Sequence, residues 1–188
     1  MDLEAGNIYH IYNQGNNKQI IFFTKKNYNY FLKKIELHLC PFADILAWCL
    51  MPNHFHLIIA VKSDRLILSH ARTINRSIAI MLRSYTRATN IQEKRSGSLF
   101  REKTKAIWLG NIKSEMLKYQ NKIESAPIPN SEEEYLFTCF KYIHQNPVKA
   151  GLVKLETDWE FSSAGIYASL REGNLINKEL SRQLGLGF

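Results

Sequence analysis

The chain has 188 residues, of which 45% are hydrophobic and 12% aromatic, and it carries a formal net charge of +8. That size and apolar share exclude a disordered chain and indicate one globular domain over 1–188, with a core over about 6–165 and a C-terminal tail over about 166–188. No apolar run reaches the ~18 residues of a membrane span, and "MDLEAGNIYHIYN" lacks the residue order of a secretory signal, so a cytoplasmic location is expected.

Cys40, Cys49 and Cys139 have apolar neighbours and no C-x-x-C spacing, which reads as buried free thiols rather than metal ligands or disulfides. The charge is unevenly placed. Between Lys62 and Lys105 there are eleven Lys/Arg and three acidic residues, an excess equal to that of the whole chain. Localised basicity of this kind points to a polyanionic partner.

In chain order, "NIYHIYNQG" (Asn7–Gly15) is aromatic and β-branched and reads as a strand stopped by glycine. Thr24–Leu39 begins on a capping threonine and places Tyr28, Phe31, Leu32, Ile35 and Leu39 at helical spacing. "FADILAWCLM" and "HFHLIIAV" are two apolar strands separated by the turn dipeptide Pro52-Asn53, hence a hairpin. A long helix is predicted over about Ser69–Thr89. With ~100° per residue, Arg72, Arg76, Arg83 and Arg87 share one face and Ala71, Ile74, Ile78, Met81, Leu82 and Tyr85 the other. An arginine stripe repels itself and has no use in the monomer unless an anion lies across it.

Gly97–Leu109 reads as a loop feeding a strand, and Asn111–Asn130, ending on "SAPIPN", as a flexible connection. "NSEEEYLFTCFKYIHQNPVKAG" is a helix with a Ser131-x-x-Glu134 capping box, a core face of Leu136, Phe140 and Ile143, and a predicted stop at Pro147. The tail carries "DWEFSSAGIY" and a short amphipathic stretch, Lys178–Leu184.

The candidate chemistry lies in "WCLMPNHFHLIIAV", where His54 and His56 flank Phe55. Strand alternation sends both imidazoles to one face and Phe55 to the other, with the histidine Cα atoms ~6.7 Å apart. Two imidazoles so placed can converge on a divalent ion, or be an ordinary half-buried pair. With only two such ligands a closed zinc shell does not fit. An open shell completed by water and phosphate oxygen suits Mg²⁺ or Mn²⁺. In "KYIHQNPVKAGLV", Tyr142 and Asn146 are four apart and share a stripe off the core face. Asn146 precedes a proline and is predicted to sit at the helix end, its amide free to reach sideways.

These segments together resemble the HUH single-strand DNA transposases of the insertion-sequence-200-like group, and most closely the REP-associated tyrosine transposases. "YHIYNQGNNKQIIF" is similar to that family's opening strand, "MPNHFHLI" to its histidine–hydrophobe–histidine motif and "GSLFREKTKA" to its central segment. "YIHQNPVKAGLV" followed by "DWEFSS" is similar to its tyrosine-helix signature.

The resemblance implies an α+β, ferredoxin-like antiparallel sheet with helices packed on it. It makes His54 and His56 metal ligands, Tyr142 the nucleophile and Asn146 the third ligand, where relatives often carry glutamine; Gln145 and His144 are the fallback candidates. It implies a metal-assisted transesterification on single-stranded DNA beside a hairpin, through a 5′-phosphotyrosine and a free 3′-hydroxyl. A phenol is mostly protonated at neutral pH, and Lys141 and Lys149 are the flanking cations that would favour its ionised form. The DNA backbone would be held by Arg72, Arg76, Arg83 and Arg87, by Lys94, Arg95, Arg101, Lys103 and Lys105, and by Lys149. A homodimer sharing tyrosine helices and a monomer are both compatible with this reading. A non-cleaving nucleic-acid-binding module and a metal-dependent phosphodiester hydrolase are the alternatives.

Overall fold

The computed structural model describes residues 3–63, 65–66, 72–124 and 135–187. Its elements in chain order are β1 (Asn7–Gln14), α1 (Lys25–His38), β2 (Ala43–Met51), β3 (His54–Val61), the two-residue strands β4 (Arg65–Leu66) and β5 (Arg72–Thr73), α2 (Ile74–Gln92), β6 (Lys105–Asn111), α3 (Ile112–Glu124), α4 (Tyr135–Lys149), α5 (Ala164–Tyr167) and α6 (Lys178–Gln183). β1, β2, β3 and β6 form one antiparallel sheet in the order β2-β3-β1-β6. With α1 and α2 as its crossovers this is the ferredoxin-like βαββαβ arrangement, the predicted α+β class.

The strands β2 and β3 are packed on both faces and so read as nearly continuous apolar runs. On one face Tyr9, Ile11, Ile45, Trp48, Leu50, Phe55, Leu57 and Ile59 meet Phe31 and Ile35 of α1 and Ile74, Ile78, Met81 and Tyr85 of α2. On the other, Ile8, Ala47, Cys49, Met51, Ile58 and Ala60 meet Leu136, Cys139, Phe140 and Ile143 of α4. A register shift in β2 between Ile45 and Ala47 lets Ile45 and Trp48, three residues apart, share a face.

α4 is fastened to the sheet through one hydroxyl. Ser163 Oγ accepts from the Trp48 amide at 3.0 Å and donates to the Trp48 carbonyl at 3.1 Å. It also lies 2.6 Å from Nε2 of His144, a fully buried residue of α4. The same region covers the outer edge of β2: Ser162 bridges to Cys49, Ile176 bridges to Ile45, and the Leu50 amide donates to Phe161. The tail is part of the packing, since Ile166 and Ile176 enter one cluster and Leu184 and Leu186 the other.

Four expectations are corrected. The long helix begins at Ile74 rather than near Ser69, because the Thr73 side chain caps it by accepting from the Arg76 amide. Arg72 therefore lies on β5, off the helical stripe; positions 69–71 lie outside the described residues. The predicted flexible connection is instead the helix α3 as far as Glu124. Its half-buried residues Ile112, Glu115, Met116 and Tyr119 recur at helical spacing. The rest of that connection and the Ser131–Glu134 capping box fall outside the described residues.

α4 does not stop at Pro147 but runs through it to Lys149. Proline removes the amide that would serve the Ile143 carbonyl, and Asn146 Nδ2 lies 3.5 Å from that oxygen and 2.8 Å from the Tyr142 carbonyl. The helix then ends at Ala150-Gly151. Leu152 N donates to the Pro147 carbonyl and Gly151 N to that of Val148, with Gly151 at φ +69°, a turn that suits glycine. Finally, Cys49 and Cys139 are buried free thiols as expected, whereas Cys40 is only half-buried.

Candidate active site between the sheet and the fourth helix

Residues directly opposite one another in a sheet share a face. The register β2-β3-β1-β6 therefore puts Cys49, His56, Tyr12 and Lys105 in one row on the α4 side. The next row towards the sheet end holds Met51, His54 and Gln14, and the row behind holds Ile58, His10 and Ile107. Phe55 points the other way into the first cluster, so β3 alternates as its sequence requires.

The imidazoles of His54 and His56 have centroids 5.0 Å apart and lie nearly perpendicular, at 85°. Each has its Nδ1 engaged from behind. His54 Nδ1 lies 2.6 Å from Asn53 Oδ1, and Asn53 spends its Nδ2 on the Lys18 carbonyl, which fixes Oδ1 as the atom facing the ring. An amide oxygen only accepts, so His54 Nδ1 donates and Nε2 keeps the lone pair. His56 Nδ1 lies 2.9 Å from Nε2 of His10, while His56 Nε2 is buried and has no hydrogen-bond partner among the described residues. A buried polar atom left unsatisfied is costly unless something fills the position.

His10 is the participant that sequence reasoning missed. It sits mid-strand in "NIYHIYN" and is 5% exposed, like His56. Only the β1–β3 register, which seats it opposite Ile58 and diagonal to His56, reveals the contact. Its ring stacks on Tyr12 at 4.9 Å. Burial lowers the pKa of His10 to about 4 and that of His54 below its ordinary value. His56 is held well below that value by burial and by its two histidine neighbours. At neutral pH the cluster is uncharged, the state in which imidazole ligates metals.

Tyr142 on α4 closes the cleft. Its ring meets His56 edge-on at 5.6 Å and His10 at 6.5 Å, and it is 42% exposed. Lys149 Nζ stands 5.4 Å from the centroid of the tyrosine ring, whereas Lys141 is turned away, over Phe137 at 4.4 Å. Asn146 shares the Tyr142 stripe, with its amide nitrogen tied to the helix carbonyls. Of the two fallback residues, His144 is buried against Ser163 and Gln145 is exposed. Tyr12, 5.7 Å from His56, is a second tyrosine ring at the site. Among the described residues no group of three His, Cys, Asp or Glu side chains converges as a metal set.

The basic residues lie in two layers. Arg76, Arg83 and Arg87 are exposed on α2, across the sheet from the histidines. Arg83, Arg87 and Arg95 line a cavity of about 540 Å³ with Asn90, Ile91 and Ser98. Arg95 donates to Gln19 Oε1 at 2.9 Å, and Lys94 is exposed with a positive φ of 50°. Arg72 is half-buried, its guanidinium 5.4 Å from the Phe42 ring centroid. Arg101, Lys103 and Lys105 are exposed along the segment entering β6. That segment is pinned to the sheet end because Arg101 N donates to the Gln14 carbonyl and Asn13 Nδ2 to the Arg101 carbonyl. Gln14 in turn pairs with His54, and Lys105 pairs with Tyr12 on the histidine face. The 94–105 segment thus connects the arginine layer to the cleft.

The buried histidines set a pH dependence. They stay neutral in the fold but protonate near their ordinary value of 6.5 once unfolded, so the unfolded chain binds more protons as pH falls. Stability is expected to be full above pH 6.5 and to decline steadily towards about pH 4, the value for His10. Urea midpoints across that range check this, and a flat profile contradicts it.

No family model and no curated protein matches the chain. Among solved structures it is similar to that of a REP-associated tyrosine transposase bound to a REP hairpin, with a TM-score of 0.54 at 19% identity, covering 94% of this chain and 91% of that one. At that identity the likeness is one of fold. No helix among the described residues is long and apolar enough to cross a membrane.

Proposed function

We propose that the chain is a metal-dependent tyrosine transposase that nicks and rejoins single-stranded DNA beside a hairpin through a 5′-phosphotyrosine. The observation that carries the reading is the pairing of Tyr142, half-exposed on α4, with a neutral imidazole beneath it whose Nε2 is buried and has no partner among the described residues. The fold neighbour is a REP-associated tyrosine transposase bound to a REP hairpin, which supports the same class of substrate here.

His54 and His56 fit a divalent cation, since each ring has Nδ1 engaged and Nε2 as its remaining nitrogen. They would hold Mg²⁺ or Mn²⁺, with Asn146 contributing Oδ1, because its Nδ2 is spent on the helix. Bound there, the ion supplies Lewis-acid polarisation of a phosphate oxygen.

The protein's own groups supply the rest. Tyr142 Oη loses its proton to solvent and attacks phosphorus, the new P–O bond forms to the tyrosine, and the bond to the 3′-oxygen breaks, that oxygen taking a proton from solvent to leave a 3′-hydroxyl. The ester is kept in the covalent link, so rejoining needs no nucleotide cofactor. Lys149 places a positive charge beside the tyrosine ring where the phosphodiester must enter. Tyrosine and histidines belong to one chain in this arrangement, so one protomer suffices. The DNA backbone would run from Arg83 and Arg87 along Lys94–Lys105 to the cleft, bending round the end of the sheet.

Labelled single-stranded hairpin DNA incubated with Mn²⁺ is expected to give a covalent protein–DNA band on a denaturing gel. Tyr142→Phe is expected to abolish the band while DNA binding is retained, and Tyr12→Phe to keep it. A band that survives Tyr142→Phe but not Tyr12→Phe moves the nucleophile to β1. Binding by the wild-type protein with no band favours the non-cleaving module, and cleavage that outlives Tyr142→Phe favours the hydrolase.

Changing Arg83 and Arg87 together to alanine is expected to reduce the log–log salt slope of single-strand binding by about 1.4, at ~0.7 per phosphate contact. The exposed helix should fold as before, alanine being the stronger helix former. An unchanged slope removes α2 from the DNA path.

A further inference from the structure

We propose that His10 is a positioning residue for His56, fixing the tautomer that leaves His56 Nε2 free to bind a divalent cation. The inference rests on the metal reading above and adds a role for a residue that the reading does not use.

His10 Nε2 and His56 Nδ1 are 2.9 Å apart, with ring centroids 5.0 Å apart and 30° between planes. Both residues are nine-tenths buried. Between two neutral imidazoles one nitrogen must donate and the other accept, which leaves two arrangements. If His10 donates, His56 carries its proton on Nε2, as a buried N–H with no acceptor among the described residues. If His56 donates, Nε2 presents a lone pair to the cleft, and only this form can ligate a cation. The second arrangement also repeats what His54 does with Asn53, where the partner admits no alternative. Outer partners of this kind hold a ligating ring in the required tautomer and orientation.

His10 is not itself a third ligand. Its Nε2 is occupied by His56 Nδ1, and no three-residue metal set converges among the described residues. Nor is it a core filler by residue type. Its flanking cross-strand partners, Ile58 and Ile107, form an apolar setting in which leucine would pack as well. An imidazole is kept there for its nitrogen.

The test compares wild type, His10→Leu and His10→Gln by Mn²⁺ titration, with free Mn²⁺ read by electron paramagnetic resonance, and by ¹⁵N NMR of the His56 ring in the metal-free protein. Wild type is expected to bind Mn²⁺ and to show His56 protonated at Nδ1. His10→Leu should weaken binding about 10–100-fold, as loss of an outer-shell partner does. His10→Gln, whose Oε1 can accept from His56 Nδ1, should restore most of it. Should the leucine variant fail to fold, the wild-type tautomer and the glutamine variant still decide. Wild-type affinity in His10→Leu, or an Nε2-protonated His56 in the wild type, overturns the role of His10 alone. A wild type that binds no Mn²⁺ overturns the metal reading and this inference together.

Discussion

A sheet buried on both faces allows each strand only two kinds of position, and β3 obeys that rule everywhere except at its entrance. From Leu57 to Val61 every residue is fully buried. At His54 and His56 the same alternation places nitrogen-bearing rings where the second apolar cluster would otherwise continue. Asn53 and His10 engage their Nδ1 atoms, while the tyrosine helix covers the rings from above. Everything else at the site follows from that exception. Burial keeps the imidazoles neutral, and α4 covers the second face together with Leu184 and Leu186 of the tail.

That docking explains why Ser163 matters although it is far from any chemistry in the sequence. One hydroxyl ties β2 to His144 of α4, and Phe140 and Ile143 follow into the second cluster. Tyr142, between Ile143 and the exposed Lys141, then has no choice but to stand at the margin of the cleft. The helix runs through Pro147 and ends at the Gly151 turn, which keeps Lys149 on its last turn and close enough to stand over the tyrosine ring. The position of the candidate nucleophile is thus set by how α4 is seated on the sheet, with its ring resting edge-on against His56.

The sequence makes the α+β frame legible because periodicity and turn residues carry it: β1, α1 and the β2–β3 hairpin lie within a residue or two of their predicted ends, and β6 follows the loop expected to feed a strand. The orientation of His54 and His56 against Phe55 was equally readable, since a period of two leaves no freedom. What could not be read depends on register or on single capping contacts. His10 looks like any strand residue until β1 is aligned with β3. Arg72 leaves the helical stripe because Thr73 caps α2, and only the capping contact distinguishes that start from one a turn earlier. In α3 the exposed Leu117 interrupts the apparent pattern, although Ile112, Met116 and Tyr119 carry it. The pre-proline position of Asn146 suggested a helix end; in the fold its own side chain repairs the hydrogen bonding that proline disrupts. The layering of the basic residues, with α2 and the histidines on opposite sides of the sheet, is likewise a property of topology, invisible to a count of charges.

His54 and His56, lying under Tyr142 of the same chain, are the proposed divalent-cation site. Crystals grown with Mn²⁺ and measured with anomalous scattering test it most directly. The expected result is an anomalous peak in the cleft at bonding distance from Nε2 of both histidines, with Tyr142 beside it in the same protomer. Well-ordered crystals at saturating Mn²⁺ with no peak at those nitrogens, or with the peak elsewhere on the surface, would contradict the account.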